Sequence, residues 1–313
     1  MTGERGNGTM TRFGLEEYVA DCVITLDHRL TEQVSTRRLR IIKYRGSLHG
    51  TNEYPFLIGR DGISVLPITS LALEHKAGSG RISTGIRELD SMMGGKGYYR
   101  GSSILISGTA GSGKSSLAAS FVDATCRRGE HCLYFPFEES ESQILRNMRS
   151  IGIDLAPHVR KGLLQFHATR PSVYGLEMHL VTMYDLIRQH KPQAVVMDPI
   201  TDFFSIGTQA EVKAAITRII DFLKSSEITG LFTSIMSEEE SADQSVTGVS
   251  SLIDTWISLR NLEINGERHR ALFILKSRGM PHSSQVRSFH LTSNGIAVGA
   301  LDLAGHHGAS STA

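Results

Sequence analysis

Residues 108–115 read GTAGSGKS, a complete G-x-x-x-x-G-K-[ST] loop, and its flanks restrict the folds open to this chain. Ahead of the loop, Ile104-Leu105-Ile106 reads as a short buried strand. Behind it, Leu117 to Val122 reads as the start of a helix. A strand that turns through glycines straight into a helix aims successive backbone N–H groups at one spot, and the helix dipole adds positive charge there. That spot suits a triphosphate. Gly108, Thr109, Ala110, Gly111, Ser112, Gly113, Lys114, Ser115 and Ser116 are therefore the expected cradle for ATP, with Lys114 reaching the β- and γ-phosphates. The Ser115 hydroxyl is the expected ligand of Mg²⁺.

From residue 81 the pattern alternates strand with helix, which predicts an α/β domain with a mostly parallel sheet. Strands are expected over 103–107, 132–137, 163–167, 194–198 and 230–234. Helices are expected over 115–128, 140–151, 175–190 and 208–226. Two of these strands run into carboxylates. Asp198 closes Ala-Val-Val-Met-Asp, at the carboxyl edge where a parallel sheet places the Mg²⁺-side partner of a phosphate loop. Glu138 and Glu139 follow an apolar run from Cys132 to Phe137 and emerge at the same edge. A carboxylate beside the γ-phosphate can orient or deprotonate an attacking hydroxyl.

The formal net charge of +1 gives no global attraction to nucleic acid or anionic lipid. The stretch 237–248, SEEESADQSVTG, carries Glu238, Glu239, Glu240 and Asp243 and no lysine or arginine, which opposes a single-stranded nucleic-acid groove. Cys22, Cys126 and Cys132 match no zinc spacing, and their odd number argues against a disulfide framework. No run of about eighteen apolar residues suits a membrane helix. The first residues lack an apolar signal core, so the cytoplasm is the expected location. Residues 1–11 and 303–313, the latter with His306-His307, are small and polar and are expected to be flexible tails.

Lys43-Tyr44-Arg45-Gly46 recurs 233 residues later as Lys276-Ser277-Arg278-Gly279. The same offset pairs Asp21 with Asp254, Ile24 with Ile257, Leu26 with Leu259, His49 with His282, Phe56 with Phe289, and Gly62-Ile63 with Gly295-Ile296. Each copy predicts an antiparallel meander. A strand (22–26; 255–259) leads to a second (39–44; 271–277), an R-G turn, and a third strand ending in G-I. The second copy closes the nucleotide domain, 81–302, while the first has no phosphate loop ahead of it. Residues 12–68 therefore read as the end of a preceding, duplicated domain or as a self-standing β-module, with 69–80 as the linker. Lys276 and Arg278 alternate with their neighbours, so both are expected on one strand face, placed to reach a neighbouring subunit's phosphates as an arginine-finger pair. A solvated strand face is the other reading of that pattern.

Taken in order, ISTGIRELDSMMGG (82–95), GTAGSGKS, FEES (137–140), VVMD (195–198), EITGLFT (227–233) and FILKSRG (273–279) resemble the KaiC circadian-clock family of RecA-like ATPases, specifically its second domain. GLEEYV (14–19) and YRGSLHGTNEYPF (44–56) resemble the end of that family's first domain. The resemblance implies a RecA-like P-loop NTPase fold with a C-terminal antiparallel β-meander and an N-terminal β-rich remnant of a duplicated domain. It implies a hexameric ring with ATP and Mg²⁺ between subunits, slow ATPase and Ser/Thr autokinase activity with phosphatase-like reversal, and a KaiB-like or other signalling partner. It places the family's phosphoacceptor pair on Ser250 and Ser251, with Glu138 as base and Glu139 in support. Three departures stand out. The segment ahead of the acceptor pair is shorter, Asp202-Phe203-Phe204-Ser205 stands where the family has an arginine, and the chain ends soon after the domain without the family's long KaiA-binding tail, which puts a KaiA-type partner in doubt. The competing classes are a recombinase-type DNA-repair ATPase on single-stranded DNA, which the acidic stretch opposes, and an ATPase-only regulatory module.

Overall fold

Along the chain run α1 (Glu16–Val19), β1 (Cys22–Thr31), β2 (Val34–Tyr44), β3 (Glu53–Gly59), β4 (Gly62–Val65), β5 (Arg81–Ile82), α2 (Arg87–Met92), β6 (Tyr98–Tyr99), β7 (Ser103–Gly108), α3 (Lys114–Arg127), β8 (Cys132–Pro136), α4 (Glu141–Ser150), α5 (Ala156–Arg160), β9 (Leu164–Phe166), α6 (Leu176–His190), β10 (Ala194–Asp198), α7 (Gln209–Ser225), β11 (Thr229–Ile235), β12 (Thr255–Ile264), β13 (Glu267–Ser277), β14 (Arg287–Thr292) and β15 (Gly295–Ala300). Short 3₁₀ turns cover Pro171–Val173 and Ile200–Ser205. This computed structural model describes residues 15–31, 34–59, 62–65, 78–236, 250–264 and 266–301. The two tails, most of the 69–80 linker and the acidic stretch 237–248 lie outside the described residues.

A nine-stranded sheet has the order β15-β14-β13-β12-β7-β11-β10-β8-β9. From β12 to β9 neighbouring strands run parallel, and β12 to β15 form the antiparallel meander. Strands β7, β8 and β10 are buried at every residue, as their unbroken apolar runs require of parallel strands covered on both faces. One face packs Ile104, Ile106, Tyr134 and Val196 against Leu117, Phe121 and Val122 of α3. The other packs Leu105, Phe135, Met197 and Phe232 against α6 and α7. Capping boxes at Ser140/Gln143 and Thr208/Glu211 satisfy the first N–H groups of α4 and α7 and fix where they start. The result is the predicted α/β sheet with its phosphate loop between β7 and α3.

Strands β1 to β4 form a separate sheet in sequence order. Among the described residues each meander has four strands, not three, because the G-I pairs at Gly62 and Gly295 open a further strand antiparallel to the one before. The two copies agree in detail. Both carry a bulge at the same place, Val23/Ile24 and Trp256/Ile257. Arg45 N–H donates to the Asp21 carbonyl and Arg278 N–H to the Asp254 carbonyl, each at 2.8 Å. Lys43 Nζ donates to the Glu17 carbonyl at 2.9 Å, and Lys276 Nζ to the Ser250 carbonyl at 2.8 Å. They differ at one edge. β12 pairs in parallel with β7, which leaves Ile257 and Leu259 0% and 1% exposed; β1 has no such neighbour among the described residues, and Ile24 and Leu26 are 52% and 58% exposed. The small sheet rests on α6 and α7, with Leu57 against their apolar side and Arg38 bridging Glu177 (3.6 Å) and Glu211 (2.9 Å).

Candidate nucleotide site

The loop between β7 and α3 is shaped by two glycines. Gly111 (φ +73°) and Gly113 (φ +101°) hold left-handed backbone that side chains rarely adopt. Gly113 is the N-cap of α3 and provides no side-chain cap, so the first N–H groups of the helix stay available to an anion. Phe289 of β14 forms the wall behind it. Asn261 Nδ2 of β12 steadies the loop through Thr109 Oγ1 at 3.3 Å. Lys114 is buried, and its Nζ donates to the carbonyls of Gly108 (3.0 Å) and Thr109 (2.8 Å). Burial lowers its pKa, while Asp198 and Glu138 act to raise it. Ser112 Oγ is buried without a hydrogen-bond partner. An uncapped helix start, a buried ammonium and an unpaired hydroxyl fit a phosphate chain. Ser115, half-buried at the start of α3, and Asp198 are the residues fit to hold its Mg²⁺, which would polarise the phosphate oxygens.

Asp198 ends β10 and is followed by a cis bond to Pro199. Its Oδ2 accepts from Tyr134 Oη at 2.7 Å and its Oδ1 from Thr233 Oγ1. Burial, with Asp198 beside it, pushes the Tyr134 phenol well above its ordinary pKa, so it stays a donor. Sequence reasoning missed both partners, because a tyrosine or threonine inside an apolar strand reads as core. Phe137 N–H donates to the Asp198 carbonyl at 2.9 Å, which ties the ends of β8 and β10 together and sets Glu138 at this edge. Glu138 is exposed; Glu139 is half-buried and accepts from Asn147 Nδ2 at 3.0 Å. Asp202, in the stretch that replaces the expected arginine, is pushed up to about 6 by burial and by Glu138 and Asp198.

The remaining candidates lie at the other end of the sheet. Ser250 (half-buried) and Ser251 (exposed) lead into β12, whose first residue faces Ile104 near the start of β7. This segment is firmly tied. Ser103 N–H donates to Asp254 Oδ2 (2.9 Å), Lys224 Nζ reaches Asp254 Oδ2 and the Leu252 carbonyl (2.8 Å each), and Lys276 holds the Ser250 carbonyl. Burial pushes Asp254 up, but Lys224 and Ser103 outweigh it and hold the carboxyl below its ordinary value. Lys276 is lowered by burial and by Arg278 nearby. Lys276 and Arg278 lie close enough for their charges to act on one another, with Lys276 on β13 and Arg278 one residue past its end. β13 stops at Ser277, and Arg278 lies exposed in the turn that folds back to Asp254. From Ser103 to Gly108, at about 3.3 Å per residue, the sheet separates this end from the phosphate loop by about 16 Å.

The family model described as "ATPase: KaiC" matches residues 1–70 and 82–302. The chain belongs to the KaiC ATPase family. The sheet and loop described above are thus a RecA-like KaiC ATPase domain. This KaiC-family chain is 55% identical over 298 residues to a circadian clock protein KaiC2 of Synechocystis sp., covering 95% of the chain and 52% of the relative. It is 36% identical over 304 residues to a circadian clock protein KaiC3 of the same organism, covering 96% and 60%. It is also 36% identical over 302 residues to a circadian clock oscillator protein KaiC of Picosynechococcus sp., covering 95% and 58%. The chain thus spans between half and three-fifths of the length of these relatives. Among the described residues no helix is long and apolar enough to cross a membrane.

Proposed function

We propose that this KaiC-family chain binds Mg·ATP on residues 108–116, hydrolyses it slowly, and transfers its γ-phosphate to Ser250 or Ser251 of an adjacent subunit in a nucleotide-bridged, hexameric ring. The observation that carries this reading is the separation of loop and acceptor pair across β7, about 16 Å by strand rise, which favours transfer between subunits over transfer within one. In the proposed step the serine oxygen attacks the γ-phosphorus, its proton passes to Glu138, and the bond to the departing ADP oxygen breaks. Glu139, braced by Asn147, supports that edge. Lys114, Ser115 and Asp198 hold the phosphates and metal. Arg278, exposed at the far end, with Lys276 beside it, serves the neighbour's nucleotide.

The names of the relatives, a circadian clock protein and a circadian clock oscillator protein, support a role in clock-like or other signalling regulation; a cytoplasmic location and a KaiB-like or other signalling partner belong to this proposal. Those names lend nothing to the DNA-repair alternative. The exposed β1 edge, set beside the β7-covered edge of β12, supports the reading of residues 12–68 as the end of a preceding domain of the same kind. Phosphopeptide mapping after incubation with Mg·ATP tests the kinase assignment. Label on Ser250 or Ser251 that drops in Glu138→Gln is the expected result. Label elsewhere, or undiminished in that variant, overturns it, and hydrolysis with no label leaves an ATPase-only regulatory module.

A further inference from the structure

We propose that Tyr134 and Thr233 are positioning residues that clamp the Asp198 carboxylate in one orientation for magnesium; this rests on the reading of Asp198 as the metal-side acid. Three adjacent strands supply the parts. Tyr134 of β8 lies opposite Val196, so its side chain shares the α3 face with Asp198 two residues on. Thr233 of β11 lies opposite Ile106, on that same face. The phenol donates to Oδ2 at 2.7 Å and the threonine hydroxyl to Oδ1. Both donors are fully buried, and the Tyr134 ring packs on Phe166 with centroids 5.3 Å apart, so neither hydroxyl can turn to solvent instead.

Each carboxylate oxygen accepts more than one hydrogen bond, so the clamp occupies part of each and leaves capacity for a metal or its water. What it removes is rotation. A free carboxylate must be ordered when the metal arrives, whereas this one is ordered already. A tyrosine there only to fill the core would need no carboxylate, since a backbone carbonyl would satisfy its hydroxyl. Here two buried hydroxyls from different strands converge on one acid. Partners of this kind, one step removed from the metal, typically change metal affinity 10- to 100-fold when lost.

The test uses the full chain and a fluorescent ATP analogue, titrated in EDTA and then against Mg²⁺. In Tyr134→Phe and Thr233→Val, analogue binding in EDTA should stay within about twofold, while the Mg²⁺ midpoint rises about tenfold or more. Thr233→Ser, which keeps the hydroxyl, should return the midpoint to near wild type. Variants that lose melting temperature in EDTA yet keep the wild-type Mg²⁺ midpoint overturn the clamp and leave both residues as packing. If Tyr134→Phe does not fold, an unchanged midpoint in Thr233→Val overturns the clamp by itself. A wild-type chain whose nucleotide binding ignores Mg²⁺ overturns the underlying reading of Asp198 as well, so the two failures are distinct.

Discussion

Replacing Gly113 with alanine should unseat the phosphate loop, and the size of the effect follows from comparing it with Gly111. Both residues sit at positive φ, +73° for Gly111 and +101° for Gly113, where a side chain costs about 1 kcal/mol or more. They differ in what a Cβ would meet. At Gly111 nothing lies within 4 Å; at Gly113 the Cβ would sit 2.5 Å from Phe289 Cε1. Phe289 is 0% exposed, so its ring has no open direction in which to give way. Forced overpacking of this kind adds about 1–3 kcal/mol. Gly111→Ala should therefore lose about 1 kcal/mol and Gly113→Ala about 2–4 kcal/mol. At about 2–4 °C per kcal/mol, these are melting losses of roughly 2–4 °C and 4–16 °C. Gly113 also caps α3, so its displacement moves the N–H donors, and affinity for a fluorescent ATP analogue should fall more than about tenfold in Gly113→Ala. Thermal denaturation of both variants, alone and with Phe289→Leu, is the assay. Relief of the Gly113→Ala defect by Phe289→Leu is expected. Equal losses at the two glycines would refute the argument, because the wall would then not be the limiting contact.

Lys114→Ala should abolish nucleotide binding and, with it, any nucleotide-dependent ring on size-exclusion chromatography; rings that persist would contradict this. Mixing Lys114→Ala with Arg278→Ala chains should restore some hydrolysis, since an intact loop then meets an intact arginine, and verified mixed rings without rescue would make Arg278 structural. Arg45→Ala, in the first meander, should leave hydrolysis nearly unchanged. The Asp254 carboxyl is held below its ordinary value, so its contribution is complete above the unfolded carboxylate range, near pH 4, and is lost as pH falls through the lower folded value. Urea midpoints for Asp254→Asn should be lower at pH 7 and flatter in acid than for wild type; parallel curves would disprove the assignment.

Much of this architecture was legible because it follows from local rules. The strand 194–198 is found as expected, and α3, α4, α6 and α7 each start within a residue of the expected position, since apolar period and caps are local signals. The repeat was legible because its arginine-glycine turn recurs at a fixed offset. What stayed hidden are contacts with no sequence mark. The residue pattern aims Lys276 at a neighbour's phosphates or at solvent and is silent on its bond to the Ser250 carbonyl, because a backbone partner leaves no trace in residue types. Tyr134 was hidden because burial and a polar partner look alike in an apolar strand. The fourth strand of each meander was missed because a glycine marks a turn equally well at the end of one strand and at the start of the next.

The two equivalent lysines hold the backbone and not a side chain, and that leaves the held residue's identity open. In the first meander the lysine holds the carbonyls of Glu17 and Tyr18; in the second it holds that of Ser250, the counterpart of Glu17. The first copy has an acidic side chain at that geometry, set by the sequence. Serine is neutral, and a phosphate there would bring close to two charges. Under the proposed function, one scaffold would present a fixed side chain in one copy and a modifiable one in the other, and the backbone hold need not change when the phosphate is added or removed.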